Sequence, residues 1–232
     1  LLDAWALPAT MTAFTTVAHA GHLTARAHFA PEILASEAGA LDAAVERVVA
    51  FKTQYDQGAI VPAPGVTVRN AKLFLDGIIY APAFTGAMVN PYLENVGSGA
   101  DSRWVTGSNR GPAVYFPPPA LADVLVSLGR AGIDPHMHAD GDAAVRAALD
   151  AAAALRRALP AADIRPAIAH DEIVAPADFP RFRELRVQPV LSFQWGQPAG
   201  YTLGLKDYFG PARMKILEPS GLLAAAGARI AF

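Results

Sequence analysis

Asp134-Pro135-His136-Met137-His138-Ala139-Asp140-Gly141-Asp142 places two imidazoles and three carboxylates within nine residues. Histidines two positions apart on a strand share one face, and in a chain without cysteine any metal would have to be held by His, Asp, Glu or a modified Lys. Residues 143–151 are alanine-rich and predict a helix, so the segment reads as strand, tight turn and helix, with chemistry at the strand's end. Asp140 and Asp142 stand where a helix N-terminus accepts an acidic cap, and Asp140 could equally meet a substrate amine. Asp142 is expected to be the cap of the helix, and His136, one pleat deeper than His138, to be support.

Other residues of this kind sit at the ends of other predicted strands. Residues 71–76 alternate so that Lys72, Phe74 and Asp76 share one face and Leu73 and Leu75 the other. An ammonium buried there is costly unless it is paired or loses its charge. Residues 165–170 end in His170, and residues 187–195 carry Gln194, a side chain able to hydrogen-bond a substrate. His19 and His22 lack neighbouring ligand types and read as surface residues; His28, on a predicted strand at 23–29, is at best a rim residue.

The elements that must position these groups alternate helix and strand, which is the pattern of a parallel α/β protein. Helices are predicted near 9–20, 41–55, 120–131, 143–159, 176–185 and 219–226, and a last strand begins at 227. Six such units suggest a doubly wound sheet or part of a (β/α)₈ barrel. No strand leads into G-x-G-x-x-G, and the polar residues gather at strand C-termini, so the barrel fits better. Residues 1–232 read as one partial barrel domain. A long irregular stretch follows Gly77; its part from about 78 to 117 is expected to be a loop over the active site, with Trp104 its candidate for substrate contact.

Composition narrows the classes. The chain is 53% apolar with a net charge of −2, so it has the means for a large core and no basic footprint for nucleic acid. With no cysteine there is neither a disulfide framework nor a thiolate metal site. No long uncharged apolar run suggests a membrane span. Leu1-Leu2-Asp3-Ala4-Trp5 has no initiator Met and no basic leader, and reads as a cut rather than a natural beginning. A cytoplasmic location is the expectation.

Lys72-Leu73-Phe74-Leu75-Asp76-Gly77, then His138-Ala139-Asp140-Gly141-Asp142-Ala143-Ala144-Val145, then Ile168-Ala169-His170, in this order, resemble the amidohydrolase superfamily. The branch they are most similar to is amidohydrolase family 3, which includes N-substituted formamide deformylase-like proteins. The resemblance spans essentially the whole chain, from the helix before the third barrel strand to the start of the eighth. It implies a (β/α)₈ barrel, incomplete here, with Lys72, His138 and His170 as metal ligands and catalytic residues, and Lys72 as a carbamate bridging two ions. It implies one or two divalent ions, Zn foremost and Fe or Mn as alternatives, and hydrolysis of an amide, formamide or cyclic amide. The family's first-strand His-x-His pair and eighth-strand Asp would lie outside this sequence, which alone is then expected to be inactive. Ala169 stands where the family carries Glu, and Asp140 where an apolar residue is common. Gln194, Asp140 and Trp104 are the expected substrate contacts. The expected partners are a small-molecule substrate, the missing barrel segments of the same protein, and a second copy in a homo-oligomer. The competing readings are a metal-free barrel acting as a binding or regulatory protein, and a lyase in which Lys72 forms a Schiff base.

Overall fold

Strands rich in aliphatic residues alternate with helices whose apolar stripes recur every three to four residues, and most of the helices return the chain to a parallel strand. A computed structural model describes every residue except Ala59. In order the elements are β1 Leu2–Asp3, α1 Pro8–His19, β2 Arg26–Phe29, α2 Leu41–Tyr55, β3 Gly65–Val68 and β4 Asn70–Phe74. They continue with β5 Leu93–Val96, β6 Arg103–Thr106, α3 Pro118–Arg130, β7 Asp134–Ala139, α4 Asp142–Ala158, β8 Ala167–His170 and α5 Phe179–Glu184. The last are β9 Gln188–Leu191, α6 Gly200–Met214 and α7 Ser220–Ala225.

One parallel sheet has the order β1-β2-β3, and a second, also parallel, the order β4-β7-β8-β9. The backbone at Pro31 and Ile33 hydrogen-bonds Lys72 and so links β2 to the edge of the second sheet. The fold is α/β of the (β/α)₈ barrel type, and among the described residues its sheets do not close on themselves. Register in the second sheet sets Lys72 opposite His136, Phe74 opposite His138, and Ala139 opposite His170. All the chemistry-bearing strand ends therefore leave the sheet on the same side.

Leu73, Leu75, Met137, Ala139 and Ile168 are fully buried against the helices in the main core. On α4, Val145, Ala148, Leu149, Ala152 and Leu155 form the stripe that meets Leu121, Val124, Leu125 and Leu128 of α3. Truncating a buried leucine in such a seam costs about 2–5 kcal/mol. Arg156 and Arg157 lie in the last turn of α4, where positive charge suits the helix dipole, and Arg156 also donates to the Ile164 and Leu185 carbonyls.

Three stretches differ from the sequence expectation. The strand expected at 71–76 is β4, ending at Phe74, and β3 precedes it in the other sheet, separated by Arg69 alone. The stretch after Gly77 contains the antiparallel hairpin β5-β6, whose strands are too short to show a period. Residues 200–214, where no helix is predicted, are helical, in two pieces that meet in a kink at Gly210 (φ 70°, ψ 171°) and Pro211. Those two residues hide the helix from a pattern reading. Residues 227–232 add one bridge, Val190 to Ala231, to the edge strand β9.

Candidate metal centre

β7 delivers His138 at its penultimate position and Asp140 just beyond it, while β8 ends on His170. One ligand atom from each of His138, Asp140 and His170 lies within 4.8 Å of the others. The two imidazole rings meet edge to face with centroids 4.7 Å apart. Both Asp140 carboxylate oxygens are buried and without a hydrogen-bond partner, which is costly for a carboxylate unless a cation meets it.

The histidines are oriented from behind. His138 Nε2 lies 2.9 Å from the Gly77 carbonyl, which can only accept, so Nε2 carries the proton and Nδ1 the free lone pair. His170 Nδ1 pairs with Ser192 Oγ at 2.8 Å, and its ring stacks on Trp195 (4.7 Å between centroids, 25° between planes). Such outer partners fix the ring and tautomer of a metal-binding histidine. Burial lowers His138 to a pKa of about 4 and His170 to about 2, so both are neutral, the form a metal needs. A divalent ion fits this donor set of two imidazoles and a carboxylate.

Lys72 is buried on the same side, its Nζ 4.5 Å from the centroid of Phe74, which in turn packs on His138. Burial lowers its pKa to about 8, opposed by the nearby Asp140. At neutral pH a useful fraction of Lys72 is then the free amine. Across the strand pair, His136 is 3% exposed and pushed down to about 3 by burial, with Lys72 adding to it.

His136 gives a direct pH test. Folded His136 stays neutral while the unfolded chain takes up a proton below about pH 6.5, so the unfolded state binds more protons from there down to about pH 3. Stability therefore falls as pH falls through that window, by about 2 kcal/mol from this residue between about pH 6.5 and 5. Urea unfolding of the wild type and His136→Asn should show the variant losing less on acidification; parallel curves would refute the assignment.

Asp76, two residues past β4, holds the turn below the ligands. Its Oδ1 accepts the Asp140 N–H (3.0 Å) and its Oδ2 those of Ala87 and Gly141 (both 2.9 Å). Burial raises its pKa to about 7 against the pull of these donors. Gly141 is required by close approach: a Cβ there would lie 2.1 Å from the Ala87 carbonyl oxygen. Asp142 corrects the expected cap. It is the first residue of α4, the side chain caps nothing, and its Oδ1 instead accepts the Val89 N–H at 2.7 Å.

The structure thus brings Lys72, His138, Asp140 and His170 to one rim. Gln194 is exposed in the turn after β9, next to the Trp195 that covers His170. Trp104, on β6, packs edge to face on Tyr208 and lines a groove with Phe84, Leu93 and Asn109 that includes none of the four rim residues. His19 and His22 are exposed, and His28 pairs with Thr67.

Sequence reasoning missed the acids that follow His170. His170 and Asp171 both adopt left-handed backbone (φ 84° and 51°), a strain of order 1–3 kcal/mol each that clusters at functional sites. The bend turns Asp171 and Glu172 inward, both fully buried with no partner for their oxygens. Glu218, also left-handed (φ 48°), and Tyr80 join them. Burial raises Glu172 to about 7 and Glu218 to about 8, and pushes Asp171 and Asp140 well above the carboxylate range. The Asp171-Glu172 pair directly after a strand-end histidine was the available signal.

The model of the amidohydrolase family matches residues 3–232. The chain belongs to the amidohydrolase family. The chain resembles a metal-dependent hydrolase of uncharacterized function from Pyrococcus furiosus, with a TM-score of 0.63 at 19% identity over 95% of the chain and 39% of that protein. A second such hydrolase, from Pyrococcus horikoshii, gives 0.63 at 18%, over 96% and 38%. A Xaa-Pro dipeptidase with methionine in its active site gives 0.52 at 14%, over 100% and 53%. These likenesses show the fold, and the chain spans under two fifths of the length of the two Pyrococcus proteins. No curated protein matches the chain in sequence. Among the described residues no helix is long and apolar enough to cross a membrane.

Proposed function

We propose that the protein of which this amidohydrolase chain is part is a metal-dependent hydrolase of C–N bonds in small molecules, of the amide, formamide or cyclic-amide type. The observation that carries the reading is the convergence of His138, Asp140 and His170, with Asp140 buried and unpartnered. When bound there, a divalent ion lowers the pKa of water toward neutrality and polarises the scissile carbonyl. His138 and His170 would hold it through the ring nitrogens left free by their hydrogen bonds to Gly77 and Ser192, and Asp140 would supply the negative charge. Zinc is the ion that this donor set favours.

Lys72 is assigned as a further ligand after carboxylation. Its neutral amine would attack CO₂ carbon, forming an N–C bond and releasing the amine proton to solvent, so that a buried cation becomes a carboxylate beside the imidazoles. The depressed pKa also suits a Schiff-base lysine, which is the second reading. That reading leaves His138, Asp140 and His170 with no task.

Elemental analysis and turnover decide between them. The protein purified without chelator should carry stoichiometric zinc, iron or manganese and hydrolyse members of a panel of N-acyl and N-formyl amines, with activity lost on chelation and restored by metal. Intact-mass spectra under native conditions should show one added CO₂ that Lys72→Ala lacks. Metal far below stoichiometric, or borohydride trapping of a carbonyl substrate on Lys72, would remove the proposal.

A further inference from the structure

Beside the candidate metal centre lies a second group of polar side chains that the hydrolytic chemistry does not use. Glu172 follows the left-handed bend after β8, and its backbone carbonyl accepts the Glu218 N–H at 2.8 Å. Ile173 and Leu217 bridge the same two segments, and the Ile173 N–H reaches the Asp140 carbonyl at 3.2 Å. Tyr80, from the segment after β4, closes the group with its hydroxyl turned to Glu172 and its ring edge-on to Tyr201. Three other parts of the chain therefore converge on Glu172 and its neighbour Ile173.

Glu172 is 0% exposed and its carboxyl faces only the Tyr80 hydroxyl and the Asp140 carboxyl, while neither oxygen of Glu218 has a hydrogen-bond partner. Among the described residues no Lys or Arg pairs with Glu172, Glu218 or Asp171. Several acids gathered in a buried place without countercharge are a large cost to keep unless a cation meets them. The only set of ligand atoms close enough together for a metal, among the described residues, is the one at His138, Asp140 and His170. The wider acid group suits a cation that bonds through N–H donors at hydrogen-bond length and spreads over several oxygens. Glu218 and Tyr80 are partly exposed as residues, so the group lies close to the surface.

We propose that Glu172 and Glu218, with the Tyr80 hydroxyl, receive a primary ammonium group of the substrate, so that the enzyme selects amine-bearing molecules. This rests on the hydrolase reading for the word substrate, but the binding itself can be measured without turnover.

The test titrates the zinc-loaded full chain with propylammonium and, separately, with 1-propanol, following heat and Trp fluorescence. Propylammonium should bind at least about tenfold more tightly than the alcohol. Glu172→Gln and Glu218→Gln should each weaken it by about tenfold or more, with zinc content unchanged. Tyr80→Phe, a milder change, should weaken it several-fold and serves if a glutamine variant does not fold. Equal binding of amine and alcohol by the wild type, or amine binding that survives the variants, overturns the proposal. Zinc content of the same samples is scored on its own: metal without amine selectivity sinks this inference alone, and amine selectivity without metal sinks the hydrolase reading alone.

Discussion

Asp76→Ala is expected to destabilise the protein by roughly 3–6 kcal/mol, a large part of the stability of an ordinary domain. The substitution strips the acceptor from three backbone N–H groups, those of Ala87, Asp140 and Gly141, in a place where Asp76 itself is 1% exposed. Each buried donor left without a partner costs about 1–3 kcal/mol. Against this, the variant is relieved of a carboxylate whose burial already raises its pKa to about 7, which pulls the total toward the lower end. Asp76→Asn should lie between, because its amide replaces one accepting oxygen with a donor that faces other donors. Urea midpoints at neutral pH measure the effect. A loss below about 1 kcal/mol for the alanine variant would mean that the three bonds are not what holds the turn.

His170→Ala should reduce zinc affinity by at least about 100-fold, since loss of an outer partner alone costs 10–100-fold. The ring is one of three donors, it is fixed by Ser192 and Trp195, and no other imidazole among the described residues stands ready to replace it. Asp140→Asn should do two opposite things. It lowers zinc affinity by removing the charge, and it raises the stability of the metal-free protein by relieving a buried, unpartnered carboxylate. Competition against a chromophoric chelator gives the first quantity, and denaturation with chelator present gives the second. An Asp140→Asn protein that is both less stable without metal and unchanged in affinity would show that Asp140 is a structural acid and no ligand.

Much of this was legible in the sequence because it depends on short-range pattern. Alanine-rich α4 and the 3.6-residue stripe of α2 are visible in local order, as are the alternation that puts Lys72 and Phe74 on one face of β4 and the position of His138 and His170 at the ends of their strands. The hairpin β5-β6 and the broken helix α6 were not, because four-residue strands show no period and Gly210-Pro211 interrupts the stripe. Asp142 was misjudged for a different reason: an acid at a helix start usually bonds its own helix, and here a loop 53 residues away in sequence takes that bond instead. The Glu172 and Glu218 group depends on left-handed backbone at His170, Asp171 and Glu218, which no residue type announces, since none of the three is glycine.

The bonds from Asp76 to the Asp140 and Gly141 amides join residues 64 and 65 positions apart. Closing a loop of that length costs entropy that only later contacts return, and topologies dominated by such contacts fold slowly. β7 and α4 can form locally, yet Asp140 takes its final position only when β4 docks and Asp76 arrives. The ligand set is in this sense a product of late assembly: the time course of metal uptake on refolding is a clock for the docking of β4 on β7.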